Sequence, residues 1–138
     1  MKVVKKLLAP VLVVGLLLTS LVTLHHLKDA KKDNVFRIGI SQYITHKSLD
    51  ATRKGFIDEL KKEGYVDGKN IQIDFQNAQG EQRNLKNISK QLAEESYLVF
   101  AIATPSAQSL ANTTKTTPVV FSAVTDPLAA KLVKNLKE

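Results

Sequence analysis

The sequence predicts an α/β protein: a parallel sheet with helices on both faces, preceded by an N-terminal transmembrane helix. The first observation is that, from residue 35 onward, four short apolar runs alternate with four segments of helical periodicity, the order that right-handed βαβ crossovers produce. The second is that two of the runs are almost continuously apolar, as in strands buried on both sides. The third is that 138 residues with 43% hydrophobic content suit one domain with one core.

Four strands are predicted, and their patterns differ. VFRIGIS (35–41) is short, apolar and rich in β-branched residues, which indicates a buried strand. NIQIDFQNA (70–78) alternates apolar and polar residues, as an outer strand with one wetter face does. YLVFAIAT (97–104) is continuously apolar, which favours a central position, and PVVFSAVT (118–125) supplies the fourth strand.

Four helices are predicted to follow these strands. SLDATRKGFIDELKKEGY (48–65) gathers its apolar residues on one face and stops at Gly64. EQRNLKNISKQLAEES (81–96) has the apolar spacing of an amphipathic helix. The third helix is expected to be lined by Ala107, Leu110, Ala111 and Thr114. A fourth helix is expected to begin at Pro127, with Leu128, Leu132, Val133 and Leu136 facing inward.

Residues 1–27 are predicted to form a membrane anchor or signal segment. Lys2, Lys5 and Lys6 precede 18 uncharged residues, 7–24, and a helix of that length spans roughly 27 Å, close to the hydrocarbon thickness of a bilayer. The leading positive charge favours a cytoplasmic N-terminus, so we expect the following domain on the extracytoplasmic side of the cell membrane. A cleaved signal peptide, which would make the domain secreted, is the open alternative, although no A-x-A-like site follows the run.

The charge distribution argues against a nucleic-acid partner. The chain carries +7, of which the first 34 residues contribute +4 and the remaining 104 only +3 with the signs mixed. Residues 28–34 are charged and poor in apolar residues, so we interpret them as a polar tether. Residues 35–138 are interpreted as the α/β lobe. The chain has no cysteine, which excludes disulfides, thiolate metal sites and a lipidated cysteine. Nucleotide-binding glycine motifs, H-E-x-x-H and G-x-S-x-G do not occur, and no cofactor or metal is predicted.

Polar side chains follow several of the predicted strands. Ligands of open parallel sheets bind outside the carboxyl ends of the strands, near the point where strand order reverses. This edge is uncharged except for one carboxylate, which suits holding a small zwitterion or amide. The residues expected there are Ser41, Gln42, Tyr43 and His46 after the first strand, Asn77 and Gln79 after the second, Thr104 after the third, and Thr125 and Asp126 after the fourth.

Several of these residues also have purely structural interpretations. Asp126 and Thr104 each precede a proline and are suited to cap a helix. His46 is a candidate surface or capping residue, and Tyr43 a candidate core-edge aromatic. A hydrolytic triad of Ser41 or Ser106 with His46 and Asp126 can be drawn, but nothing in the spacing requires it.

Ordered motifs along residues 35–138 resemble a known family. H-x-S-L-D with K-G-F, E-G-Y, N-A-Q-G-E-Q, A-T-P-x-A-Q and V-T-D-P together resemble the N-terminal lobe of substrate-binding proteins of ABC transporters, in the subgroup linked to tryptophan and tyrosine uptake. The resemblance implies the type I periplasmic-binding fold, in which two lobes close around a ligand without chemistry, so no enzyme is expected. It also implies an aromatic amino acid as ligand and an ABC permease as partner.

The resemblance assigns the first lobe's share of an amino-acid cleft to Gln42, Tyr43, Gln79, Thr104, Ser106, Thr125 and Asp126. In this interpretation Asp126 pairs with the α-ammonium, Thr104, Thr125 and the first amides of the third helix hold the carboxylate, and Tyr43 stacks on the ligand. The second lobe of the family is expected to be missing from these 138 residues. A membrane-anchored interaction or sensor domain and an α/β enzyme are the rival classes.

Overall fold

The computed structural model describes residues 35–135 of the chain. From Phe36 onward these residues belong to one compact unit. The predicted anchor (1–27) and the predicted tether (28–34) lie outside the described residues. Within residues 35–135, no helix is long and apolar enough to cross a bilayer.

Four parallel strands form one sheet, as predicted. They are β1 (Phe36–Gln42), β2 (Ile71–Asn77), β3 (Leu98–Ile102) and β4 (Val119–Ser122). The spatial order is β2-β1-β3-β4. The continuously apolar third strand is therefore central and the alternating second strand lies at an edge, which confirms both predictions from the apolar pattern.

Three helices cover the two faces of this sheet. Helix α1 (Lys47–Lys62) follows β1, α2 (Gln82–Glu95) follows β2, and α3 (Thr104–Thr113) follows β3. His46 is the N-cap of α1, where its side chain accepts a hydrogen bond from the backbone N–H of Ser48, so its capping interpretation is confirmed. The helices lie where right-handed crossovers place them, with α1 on one face and α2 and α3 on the other.

The face under α1 has a small aromatic and aliphatic core. Ile40, Phe100 and Ile102 are buried there, and Leu49, Phe56 and Ile57 of α1 pack against them. The Phe56 and Phe100 rings are stacked with their centroids 4.1 Å apart. This contact fixes α1 over the middle of β1 and β3, the two strands whose ends form the candidate site.

The opposite face holds the larger core. Its buried residues from the sheet and from α2 and α3 are Ala78, Leu85, Ile88, Leu92, Val99, Ala101, Ala107 and Leu110. Ser89 of α2 is fully buried, and its hydroxyl lies 2.7 Å from that of Ser109 in α3. Gly39 of β1 passes so close to α2 that a Cβ there would lie 2.8 Å from Ser96 Oγ and 3.2 Å from Leu92 Cβ, so this crossing favours glycine.

The prediction of a helix beginning at Pro127 is wrong for the described residues. Residues 127–131 form hydrogen-bonded turns, and Lys131 adopts a left-handed φ of 58°, which interrupts right-handed helical progression. Leu128 is 42% exposed and does not face inward as expected. Leu132 does pack against the larger core, and Leu136 lies outside the described residues.

Candidate functional site

The candidate site lies at the carboxyl edge of the sheet, where the strand order reverses. The chain passes from β1 outward to β2 and then crosses back over β1 to β3, so the connections after β1 and β3 leave on opposite faces. This divergence opens a crevice between the two strand ends, the usual ligand position in such sheets. The loops after the four strands therefore form two walls, one on each side of the reversal.

The first wall consists of residues 42–46 and 77–80, the loops after β1 and β2. Tyr43 joins them twice, because its hydroxyl donates to the Gly80 carbonyl (2.9 Å) and its own carbonyl accepts from the Gly80 N–H (2.8 Å). The Ala78 N–H donates to the Gln42 carbonyl at 2.9 Å, and Asn77 Nδ2 donates to Thr45 Oγ1 at 3.1 Å. These bonds hold the two loops as one unit.

The second wall consists of residues 103–106 and 122–126, the start of α3 and the loop after β4. The Ala103 N–H donates to the Ser122 carbonyl at 3.0 Å, and Thr104 Oγ1 accepts from the Thr125 N–H at 3.3 Å. Asp126 Oδ1 accepts from the N–H groups of Leu128 (3.0 Å) and Ala129 (2.9 Å). Asp126 thus makes the side-chain bonds of a cap, but to a turn and not to the helix that was predicted to begin at Pro127. Thr104 does not cap α3, because Ala103 holds that position.

Three predicted site residues are buried with unpaired oxygens. Ser41, Gln42 and Ser106 are each fully buried, and Ser41 Oγ, Gln42 Oε1 and Ser106 Oγ have no hydrogen-bond partner among the described residues. A buried polar atom without a partner costs about 1–3 kcal/mol. Such atoms are uncommon in a folded protein, and these three belong to the end of β1 and the first turn of α3.

Backbone strain is concentrated at the same edge, and no residue pattern indicated it. Gln79, Ala103 and Ala123 have positive φ of 56°, 81° and 57°, and they lie within two residues of the ends of β2, β3 and β4. Ala103, with ψ of 155°, occupies a region that is essentially reserved for glycine. Strained non-glycine residues cluster at functional sites, so this pattern supports the site location independently of side-chain chemistry.

The predicted site residues differ in how far they are presented to solvent. Gln79, Thr125 and Asp126 are exposed, whereas Tyr43 and Thr104 are half-buried. Tyr43 packs against the larger core and so has the core-edge position foreseen as one alternative. The ligand contacts assigned to these residues, and to the three buried ones, stay predictions.

Other concave regions also occur within residues 35–135. An apolar pocket of about 350 Å³ at the opposite end of the sheet is lined in part by Phe36, Leu60 and Tyr65. Grooves of about 610 and 650 Å³ run between α2 and α3 and share Lys86 and Asn112, and the larger one reaches Pro105 of the second wall. Within residues 35–135, no group of three or more histidine and acidic side chains is placed to hold a metal ion.

An open parallel sheet with its strand ends arranged in two walls is typical of ligand-binding α/β lobes. The family model for ABC transporter substrate binding proteins matches residues 37–138. The chain belongs to this family, which agrees with the resemblance seen in its motifs.

The chain is 50% identical over 111 residues to a tyrosine-binding protein of Clostridioides difficile, covering 80% of this chain and 32% of that protein. It is also 50% identical to the ligand-free, open structure of a substrate-binding protein with adhesive properties from Clostridium difficile, with a TM-score of 0.72 over 74% of this chain and 35% of that one. An ABC domain from Streptococcus pneumonia in complex with L-Trp is 47% identical, with a TM-score of 0.71 over 75% and 35% of the two chains. The chain thus spans about a third of the length of these relatives.

Proposed function

We propose that this chain supplies one lobe of an extracytoplasmic receptor that binds an aromatic amino acid and presents it to an ABC permease for import. The observation that carries the proposal is its 50% identity to a tyrosine-binding protein. The relative in complex with L-Trp supports the same ligand class. The predicted ligand contacts at this edge are uncharged except for Asp126. Such a set of groups suits holding a ligand by hydrogen bonds rather than cleaving a bond in it.

The second wall offers complementary groups for the two charges of an amino acid. Helix α3 has no side-chain cap and has Pro105 in its first turn, and the Ala107 N–H already donates to the Ala103 carbonyl. The N–H groups of Thr104 and Ser106 therefore lack an intrahelical acceptor and carry the positive end of the helix dipole, which favours a carboxylate. Asp126 is exposed and offers a negative charge to an α-ammonium group. In the two-lobed arrangement implied by the family resemblance, these groups face a ligand that the second lobe covers.

The proposed location follows from the sequence of residues 1–27. The uncharged run 7–24 preceded by three lysines is long enough to anchor the lobe to the outer face of the cell membrane. An anchored receptor stays near its permease, which raises its effective concentration there. Protease accessibility of the lobe on intact cells, with recovery in the membrane fraction, tests this part of the proposal.

Asp126 offers a test that separates ligand pairing from capping. Asp126→Asn keeps a side-chain oxygen for the N–H groups of Leu128 and Ala129, because asparagine caps as well as aspartate, but it removes the negative charge. Asp126→Ala removes both. We expect tyrosine, tryptophan or phenylalanine to shift backbone amide signals of residues 41–46, 104–107 and 123–127, and Asp126→Asn to weaken that binding about tenfold or more.

The same variants show which result contradicts the proposal. Shifts scattered outside the two walls, or equal shifts with alanine as ligand, would reject an aromatic amino-acid site at this edge. If Asp126→Asn binds as tightly as the unaltered chain while Asp126→Ala is destabilised, Asp126 is a cap and not a ligand contact. Thermal unfolding of each variant supplies the stability comparison.

A further inference from the structure

Gln42, the last residue of β1, makes hydrogen bonds that fix its amide in one orientation. The side chain is fully buried, and its Nε2 donates to the Ile44 carbonyl and to Asp50 Oδ1, both at 2.9 Å. A carbonyl and an ionised carboxylate only accept hydrogen bonds, so the nitrogen must face them. The amide oxygen is left buried and without a partner among the described residues.

These two bonds also set the shape of the loop that forms half of the first wall. The bond to Ile44 folds residues 42–44 into a tight bend, and the bond to Asp50 ties that bend to the first turn of α1. Tyr43 lies inside the bend and bonds to Gly80. Movement of Gln42 therefore disturbs both loops of the first wall.

Asp50 is itself held by Arg53 of the same helix. Its Oδ1 lies 3.6 Å from Arg53 Nη2, and the Arg53 guanidinium lies 4.1 Å from the centre of the Phe75 ring on β2. A cation over an aromatic face is attracted to it, so Arg53 is fixed at both ends. The contacts form a continuous chain from β2 through α1 to the end of β1.

We propose that Asp50 is a positioning residue for the amino-acid site: by accepting from Gln42 Nε2 it orients the Gln42 amide and orders residues 43–46 for ligand binding. The inference rests on the proposed function, since it assigns a role in the same site. Asp50 acts only through Gln42, and the essential property is a hydrogen-bond acceptor at this position.

Two substitutions and one control test this role in the full chain. Asp50→Ala removes the acceptor, Asp50→Asn keeps an acceptor oxygen without the charge, and Asp58→Ala removes an exposed acid of the same helix. We expect Asp50→Ala to change the Gln42 side-chain amide signals and to weaken binding of tyrosine or tryptophan about tenfold, the upper end of the effect of losing one hydrogen bond. Asp50→Asn should restore affinity to within about twofold, and Asp58→Ala should match the unaltered chain.

The inference is overturned if Asp50→Ala lowers the unfolding temperature but leaves affinity and the Gln42 signals unchanged, because Asp50 then only stabilises α1. It is also overturned if Asp50→Asn binds as weakly as Asp50→Ala, because charge and not the acceptor would be required. Absence of aromatic amino-acid binding by the unaltered chain would instead defeat the proposed function. The Gln42 and 43–46 amide signals without ligand would then still show whether Asp50 orders this loop, and unchanged signals would reject that too.

Discussion

Replacing Ala103 by glycine should stabilise the lobe, although glycine usually weakens regular structure. Ala103 follows β3 and is the N-cap of α3, with φ of 81° and ψ of 155°. An alanine side chain in this region costs about 1–3 kcal/mol, whereas glycine adopts it without penalty. Glycine is also accepted at helix N-caps, so the cap is not lost.

The expected gain is the relieved strain minus the greater entropy that glycine gives the unfolded chain. With strain of about 2 kcal/mol and an entropy cost of about 0.8 kcal/mol, the net stabilisation is about 1 kcal/mol. For a urea m-value of about 2 kcal/mol per M, this raises the midpoint of unfolding by about 0.5 M.

The matched control is the same chemical change four residues further along. Ala107 is fully buried in the interior of α3, so Ala107→Gly should lower stability by about 2 kcal/mol through lost helix propensity and a lost buried methyl group. Urea unfolding of both variants followed by circular dichroism measures the two effects. A lower midpoint for Ala103→Gly would refute the claim that this position is strained.

Three further outcomes are expected. Gly39→Ala should destabilise the lobe by about 1–3 kcal/mol by overpacking, because its Cβ would lie 3.2 Å from Leu92 Cβ. Gly55→Ala, whose Cβ would meet nothing within 4 Å, should stabilise α1 by up to about 1 kcal/mol. If urea unfolding shows that both substitutions stabilise or both destabilise the lobe, this reasoning is wrong. Leu92→Ala removes a fully buried side chain and should cost about 2–5 kcal/mol in the same assay. A hydrogen bond from Lys54 lowers the pKa of Asp58 below its ordinary 3.8, so the small stabilisation from this pair is present above that pH and lost as the pH falls through the lowered pKa; a carboxyl titration by NMR that gives 3.8 or higher would show that the pair does not form.

Most of the fold could be predicted because its signals are local and strong. The continuous apolar run that became β3 and the alternating run that became β2 specify a central and an edge strand by their burial patterns alone. The segment after Pro127 misled because Asp126 and Pro127 start a helix and a turn equally well. What separates the two is the left-handed φ of Lys131 at the end of the turn, and a lysine in the sequence does not indicate that conformation.

The placement of the candidate residues at one edge of the sheet was predictable, but their geometry was not. Thr104 and Asp126 could be placed at strand ends because each follows an apolar run. The burial of Ser41 and Ser106 depends on strands and helices that meet only in the folded lobe. The strain at Ala103 could not be predicted, because an alanine in a sequence, unlike a glycine, does not indicate a positive φ.

The central position of β1 has a consequence for how the chain is made. Its register pairs Ile38 and Ile40 with β2 on one side and with β3 on the other, yet β3 begins 56 residues after β1 ends, from Gln42 to Leu98. At about 5–20 residues per second, ribosomes take roughly 3–11 s to supply that partner. During this interval the edge of β1 that later pairs with β3 has no partner strand, and an unpaired strand edge is a site where other chains can pair.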